Sequence, residues 1–130
     1  MVVDTSALIA YLNAEPEAER IETALVGARR LFLSAATLVE AGIVAERQNE
    51  ESGGRDLDLL IHRLRVEVVP VTEEQAELAR SAYRRFGKGK HPAGLNFGDC
   101  FSYALARSLG EPLLFVGADF SKTDVAAVSY

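Results

Sequence analysis

Short apolar runs separated by longer amphipathic stretches are the dominant pattern along the chain. The apolar runs at residues 1–3, 31–33, 66–71 and 113–116 predict short buried β-strands. Between them, apolar residues recur at helical spacing, and residues 57, 60, 61 and 64 follow the i, i+3, i+4, i+7 rule. This alternation predicts an α/β sandwich around a mainly parallel sheet of four strands, with residues 126–128 as a candidate fifth strand.

Turn and capping residues set the predicted helix limits. Ser34 or Thr37 begins the helix that ends near residue 48, and Gly53-Gly54 is predicted to break it. Further helices are predicted at 6–12, from Pro16, around 57–64, after Thr72, and from Asn96 to Leu109 with Gly110 as the stop. The inner face of the helix after Thr72 is predicted to consist of Ala76, Ala79, Ala82, Tyr83 and Phe86.

Four acidic residues each stand alone in a charge-free and mostly apolar stretch. Asp4 is the only charge in residues 1–14, and Glu40 is the only charge in residues 31–45. Asp99 is alone in residues 91–106 apart from the neutral His91, and Asp119 is alone in residues 112–121. A carboxylate in apolar surroundings is costly unless it is paired, hydrogen-bonded or bound to a metal. The pattern therefore predicts a shared site.

The predicted topology can bring these acids to one edge of the sheet. Asp4 and Asp119 follow strands, while Glu40 and Asp99 lie in helices that flank them, and ligands of parallel sheets bind at the carboxyl ends of strands. Carboxylate clusters of this kind select hard cations, namely Mg²⁺, Mn²⁺ or Ca²⁺.

Each acid also has a purely structural alternative. Asp4 can cap the helix that follows it, Asp99 can form a capping box with Asn96, and Asp119 can serve as a turn residue. Glu40 is the hardest to explain in this way, because its helical neighbours are apolar. The lone Cys100 is expected to be a small core residue rather than a nucleophile.

Charge is distributed unevenly over the 130 residues, whose net charge is −5. Residues 78–98 contain no acid, and their basic residues are candidates for contact with RNA or with an acidic protein tail; a solvated helix face is the simpler alternative. These candidates are Arg80, Arg84, Arg85, Lys88 and Lys90. The single cysteine and the absence of a signal peptide or long apolar segment predict a cytoplasmic protein of one domain, residues 1–130.

Several segments together resemble the PIN domain, and more narrowly the VapC toxins of type II toxin–antitoxin pairs. They are Val2-Val3-Asp4-Thr5-Ser6-Ala7, Glu40, Leu95-Asn96-Phe97-Gly98-Asp99-Cys100, Asp119-Phe120 and Thr123-Asp124. The resemblance covers essentially the whole chain. It implies a three-layer α/β/α fold and a Mg²⁺- or Mn²⁺-dependent endoribonuclease, dimeric and inhibited by a VapB-type antitoxin.

The same resemblance assigns site residues. It makes Asp4, Glu40, Asp99 and Asp119 the catalytic and metal-binding acids, and Thr5, Ser6 and Asn96 the supporting polar residues. Ala118 is a departure, because relatives often carry an additional acid at this position.

The function predicted from the sequence is therefore hydrolysis of RNA by a toxin that inhibits translation and growth. A phosphotransfer enzyme of the haloacid-dehalogenase type would instead use Asp4 as nucleophile, although Ser6 occupies the position of its usual second aspartate. A non-catalytic module that binds RNA or protein and a nuclease that cuts DNA are also compatible with the sequence.

Overall fold

The computed structural model describes every residue from Met1 to Tyr130 and shows a four-stranded sheet between helices. The strands are β1 (Val2–Val3), β2 (Phe32–Ser34), β3 (Glu67–Val69) and β4 (Leu113–Leu114). The helices are α1 (Thr5–Leu12), α2 (Ala18–Gly27), α3 (Ala35–Gln48), α4 (Gly53–Arg63), α5 (Glu73–Phe86) and α6 (Phe97–Leu109), followed by a 3₁₀ turn at Phe120–Lys122. None of these helices combines the length and apolar character that crossing a bilayer requires.

The sheet has the strand order β3-β2-β1-β4, and all of its pairings are parallel. Val2 lies at the centre, aligned with Phe32 on one side and Leu113 on the other. The predicted parallel α/β fold is thus confirmed. The candidate fifth strand is reduced to an isolated parallel bridge between Leu113 and Ala127.

Alternating side chains of the short strands supply two separate cores, which makes the fold three-layered. Val2 and Leu113 face the cluster built with α5 and α6, whereas Val3 and Leu114 face the cluster built with α1 to α4. Because these strand residues are completely buried, the strands carry no polar face and appear in the sequence as continuous apolar runs.

Several boundary predictions are corrected by the structure. Gly53 and Gly54 do not break α3 but begin α4; α3 already ends at Gln48, with Asn49 as its C-cap. A side chain at Gly53 would overlap the backbone of Ala45, so the glycine permits the close approach of the two helices. The strand predicted at 66–71 is limited to Glu67–Val69, a largely exposed edge strand, and the one at 113–116 keeps only two residues.

The inner face of α5 also differs from the prediction. Ala79, Ala82 and Phe86 are buried as expected, but Tyr83 is 40% exposed and Ala76 is only half-buried. Gln75 is buried instead, with its side-chain amide donating to the carbonyl of Pro70. Tyr83 remains at the surface because it lines an open groove between α5 and α6.

Candidate active site

Asp4 is the most deeply buried of the four predicted acids, with 3% of its surface exposed. It directly follows β1 and caps α1, accepting a hydrogen bond from the backbone N–H of Ser6 at 3.0 Å. The Ser6 hydroxyl donates to the same oxygen, Oδ2, at 2.7 Å and accepts from the backbone N–H of Val116 beyond β4. The capping role foreseen for Asp4 is therefore real, and it fixes the carboxylate at the carboxyl end of the sheet.

The second oxygen of Asp4 is held from the other side by a residue that sequence reasoning missed. The Ser102 hydroxyl donates to Oδ1 of Asp4 at 2.6 Å, and Thr37 Oγ1 lies 3.2 Å from Ser102 Oγ. Both hydroxyl side chains are fully buried. Nothing in the sequence separates Ser102 from an ordinary small helix residue, because its partner lies 98 positions away.

Glu40 is oriented by Thr5 and Gly98. The Thr5 hydroxyl donates to Oε1 of Glu40 at 2.5 Å, while the other oxygen, Oε2, lies against the backbone at Gly98. A Cβ atom at position 98 would overlap that carboxylate, so the glycine lets the Glu40 side chain keep this position where α6 passes α3. Thr5 and Ser6 thus each hold a different acid.

Asp99 forms the predicted capping box. Its Oδ2 accepts from the backbone N–H of Asn96 at 3.0 Å, and the Asn96 side chain accepts from the backbone N–H of Asp99 at 2.9 Å. Burial is the main cause of a rise in the pKa of Asp99 to about 6, and the negative charges of Asp4, Glu40 and Asp119 add to it. The electrostatic effect of the other three acids indicates that all four act on one region.

Asp119 is the most peripheral of the quartet. It precedes the 3₁₀ turn, is exposed, and forms no side-chain cap. A fifth acid, Glu15, was missed by sequence reasoning: it lines the same pocket as Asp4, Glu40 and Asp99. Its position among other glutamates just before Pro16 gave no signal that set it apart.

Asp4, Glu15, Glu40 and Asp99 share a pocket without converging on one point, and Asp119 does not line this pocket. No three acidic, histidine or cysteine side chains are arranged at distances that would enclose an ion. The carboxylate donors are nevertheless all oxygen atoms. Burial, and after it the charges of the neighbouring acids, raise the pKa of Asp99, so the chemistry of the pocket fits a hard divalent cation. Oδ1 of Asp99 accepts no hydrogen bond, and Oε2 of Glu40 accepts none either.

Other groups near the site have structural roles. Burial, followed by the charge of Asp99, raises the pKa of the Cys100 thiol to about 11, which agrees with an unreactive core residue. Asp124 accepts hydrogen bonds from Tyr103 at 2.6 Å and from Arg85 at 3.1 Å, tying the C-terminal segment to α5 and α6. Despite partial desolvation, these two donors keep the pKa of Asp124 below its usual value.

The basic residues before Asp99 do not share one surface. Arg80, Arg84 and Lys88 line a groove of about 730 Å³ between α5 and α6, together with Phe97 and Phe101. Asn96 borders both this groove and the acidic pocket, so the two adjoin. The remaining two do not line the groove: Arg85 is bonded to Asp124, and Lys90 lies over the ring of Tyr83, which borders the groove.

The fold and the site together define the class of protein. It is a parallel α/β domain with isolated acidic residues at the carboxyl edge of its sheet. The family model for the PIN domain matches residues 1–126. A ribonuclease VapC from Mycolicibacterium smegmatis is 56% identical over 128 residues, covering 98% of this chain and 99% of the relative. The chain therefore belongs to the PIN-domain family, among the VapC ribonucleases.

Solved structures agree with this fold. VapC20 from Mycobacterium tuberculosis, described as a toxin that cleaves the sarcin-ricin loop, has a TM-score of 0.80 at 19% identity and 99% and 98% coverage of the two chains. VapBC-1 from nontypeable Haemophilus influenzae has a TM-score of 0.73 at 23% identity and 98% and 96% coverage. Family membership confirms the predicted class, an endoribonuclease toxin, and no comparison favours a phosphotransfer enzyme or a non-catalytic module.

Replacing Asp99 by Asn should stabilise the metal-free protein at neutral pH. A carboxyl whose pKa is higher in the folded state than its usual 3.8 binds protons more tightly when folded, so the free energy of unfolding falls as pH rises from about 4 to about 6. Asn keeps the cap acceptor and carries no charge. At pH 7.5 in EDTA we expect a gain of about 1 kcal/mol in urea denaturation, and little gain at pH 4. An equal gain at both pH values would contradict this explanation.

Replacing Gly98 by Ala should displace the Glu40 carboxylate, because the new methyl group occupies its place. We expect RNA cleavage to fall at least about tenfold while the protein stays folded. Gly42→Ala is the matched control: this position also lies in a helix, but nothing stands within 4 Å of an added methyl group. Initial cleavage rates and circular dichroism of both variants provide the measurement, and wild-type cleavage by the Gly98 variant would refute the inferred contact.

Proposed function

We propose that residues 1–130 form one PIN domain that hydrolyses RNA with the help of Mg²⁺, or of Mn²⁺ in its place. The observation that carries the proposal is the shared pocket of Asp4, Glu40 and Asp99, in which burial and like charge raise the pKa of Asp99. Asp4 and Asp99 are the proposed principal metal ligands, and Glu40 and Asp119 complete the acidic set. When bound, the cation would supply Lewis-acid stabilisation of the phosphate charge and a more acidic water.

The residues of the chain itself would position the substrate and the attacking water. Asp4 is immobilised through both oxygens, whereas Glu40 and Asp99 each keep one oxygen free of hydrogen bonds. A free carboxylate oxygen can accept a proton from water, so Glu40 or Asp119 is proposed to orient the nucleophile. Asn96 borders the pocket and has a free side-chain amide N–H group for a phosphate oxygen.

The groove beside the acidic pocket is proposed to hold either the RNA strand or the tail of a VapB-type antitoxin. Its cations Arg84 and Lys88 form no ion pair, whereas Arg80 is bonded to Glu77. Structures such as VapBC-1 of Haemophilus influenzae support an antitoxin as partner. A cytoplasmic location is proposed together with that role. Arg85 and Lys90 remain weaker candidates for these contacts.

A homodimer is also proposed, since large apolar side chains stay exposed around the site. Val39 and Ile43 lie one turn apart on α3, with 62% and 47% of their surface exposed. Phe97 is 79% exposed and precedes Gly98, whose backbone meets the Glu40 carboxylate of α3. Burying such a patch against a second copy would remove it from water, and symmetric dimers are the commonest assemblies.

Asp4→Asn and Asp99→Asn should each lower RNA cleavage at least about 100-fold, because an amide is a poor metal ligand and carries no charge. Labelled RNA and DNA of the same sequence are incubated with Mg²⁺, with Mn²⁺ and with EDTA. Asp58→Asn, an exposed acid on α4, is the matched control and should cut as the wild type does. Undiminished cleavage by the folded Asp99 variant, or cleavage that persists in EDTA, would refute the proposal.

Arg84→Gln combined with Lys88→Gln should weaken RNA binding and flatten its salt dependence. Each phosphate contact that is lost removes about 0.7 from the slope of log affinity against log salt for a single strand, so a decrease of about 1.4 is expected. Arg55→Gln, an exposed cation on α4 in the opposite helix layer, is the control. Titrations of catalytically inactive Asp4→Asn protein at several salt concentrations give the slope. An unchanged slope with weakened antitoxin binding would assign the groove to the antitoxin instead.

A further inference from the structure

Two buried hydroxyl groups connect the elements that carry the site acids. Ser102 on α6 donates to Asp4 Oδ1 at 2.6 Å, and Thr37 on α3 lies 3.2 Å from Ser102. Ser102 is 0% exposed and Thr37 is 1% exposed, so water cannot replace either contact. The three oxygen-bearing groups form one chain through the protein interior, from α3 through α6 to the end of β1.

The direction of the hydrogen bonds in this chain follows from proton counting. A serine hydroxyl has a single hydrogen, and that of Ser102 is donated to Asp4. The Thr37 hydroxyl must therefore be the donor to Ser102. A hydroxyl that accepts one hydrogen bond becomes a stronger donor in the next, so Thr37 reinforces the contact between Ser102 and Asp4.

The position of the two hydroxyls on their helices links them to the other acids. Thr37 precedes Glu40 by three residues on α3, and Ser102 follows Asp99 by three residues on α6. Residues three apart lie on the same face of a helix. The hydroxyl chain therefore links the helix faces that carry Glu40 and Asp99, and it connects both faces to Asp4.

This chain of hydrogen bonds also determines which lone pair of the Asp4 carboxylate remains without a partner. Oδ2 already accepts two hydrogen bonds, from the Ser6 backbone and from the Ser6 hydroxyl. Oδ1 accepts one, from Ser102, and keeps one lone pair free. Without Ser102 the carboxylate would be held at one oxygen only and could rotate about its χ2 angle.

We propose that Ser102 is a positioning residue for the metal site, and that Thr37 acts on this site through Ser102. Together they hold Asp4 as a ligand with one open lone pair on Oδ1 and keep α3 and α6 in register. The proposal rests on the proposed metal-dependent function. Partners of this kind that orient a metal ligand typically contribute 10- to 100-fold to metal affinity.

Mn²⁺ binding to the whole protein without RNA, followed by electron paramagnetic resonance, tests the proposal. We expect Ser102→Ala to weaken Mn²⁺ binding about 10-fold or more, and Thr37→Val, which keeps the side-chain shape, to weaken it about threefold. Ser102→Thr keeps the hydroxyl and should restore most of the affinity. Ser108→Ala is the matched control, on the same helix but bonded at 3.5 Å to Glu74.

A double-mutant cycle separates positioning from general stability. Because Thr37 acts through Ser102, the variant with both Ser102→Ala and Thr37→Val should bind Mn²⁺ no more weakly than Ser102→Ala alone. RNA cleavage by Ser102→Ala should partly recover as Mn²⁺ is raised, in a variant that is already folded without the metal. Circular dichroism verifies the fold of each variant.

Three outcomes would overturn the proposal. Wild-type Mn²⁺ affinity in folded Ser102→Ala would assign Ser102 a purely structural role. If the losses of Mn²⁺ affinity in the two single variants multiply in the double variant, Thr37 does not act through Ser102. If Ser102→Ala does not fold, unchanged affinity in Thr37→Val refutes the linkage. Absence of Mn²⁺ binding in the wild-type protein would be a different result, because it refutes the proposed function on which this inference rests.

Discussion

The buried carboxylate of Asp4 is the interaction on which the rest of the site depends. It is 3% exposed at the end of a central strand, where an unsatisfied charge would cost several kcal/mol. Ser6 on the adjoining helix α1 and Ser102 on the distant helix α6 offset that cost, because each donates a hydrogen bond to a different oxygen of the carboxylate. Satisfying this one group therefore joins β1, α1 and α6, and through Thr37 it also reaches α3. The local constraint thus organises the carboxyl edge of the sheet.

The features that the sequence predicts well are those in which a residue differs from its surroundings. A lone acid in an apolar stretch must be paired or functional. This reasoning identified Asp4, Glu40 and Asp99, which line one pocket, and also Asp119, which does not line it. The capping box of Asn96 is equally local, since its partner is three residues away. The parallel sheet was predicted from the alternation of short apolar runs with amphipathic helical stretches, and three of its four strands are buried.

Features that depend on distant partners were not predictable in this way. Ser102 and Thr37 are small hydroxyl residues in helices, and many such residues merely bond their own backbone. Glu15 enters the pocket because the segment between α1 and α2 turns back, with Ala14 in a left-handed conformation at φ 51°. Tyr83 fits the apolar period of α5, but its exposure depends on the width of the groove beside α6.

Capping and metal binding are often treated as competing explanations of an acid at a helix start, but the geometry here makes them complementary. A carboxylate has two oxygens with about four lone-pair sites, and a cap occupies only one or two. Oδ2 of Asp99 accepts a hydrogen bond from Asn96, and Oε1 of Glu40 accepts one from Thr5. Each carboxylate is therefore fixed in orientation and still presents one free oxygen. These local hydrogen bonds lower the conformational entropy that must be lost when the site closes around a ligand. For this reason the structural roles of Asp4 and Asp99 support a catalytic role rather than exclude it.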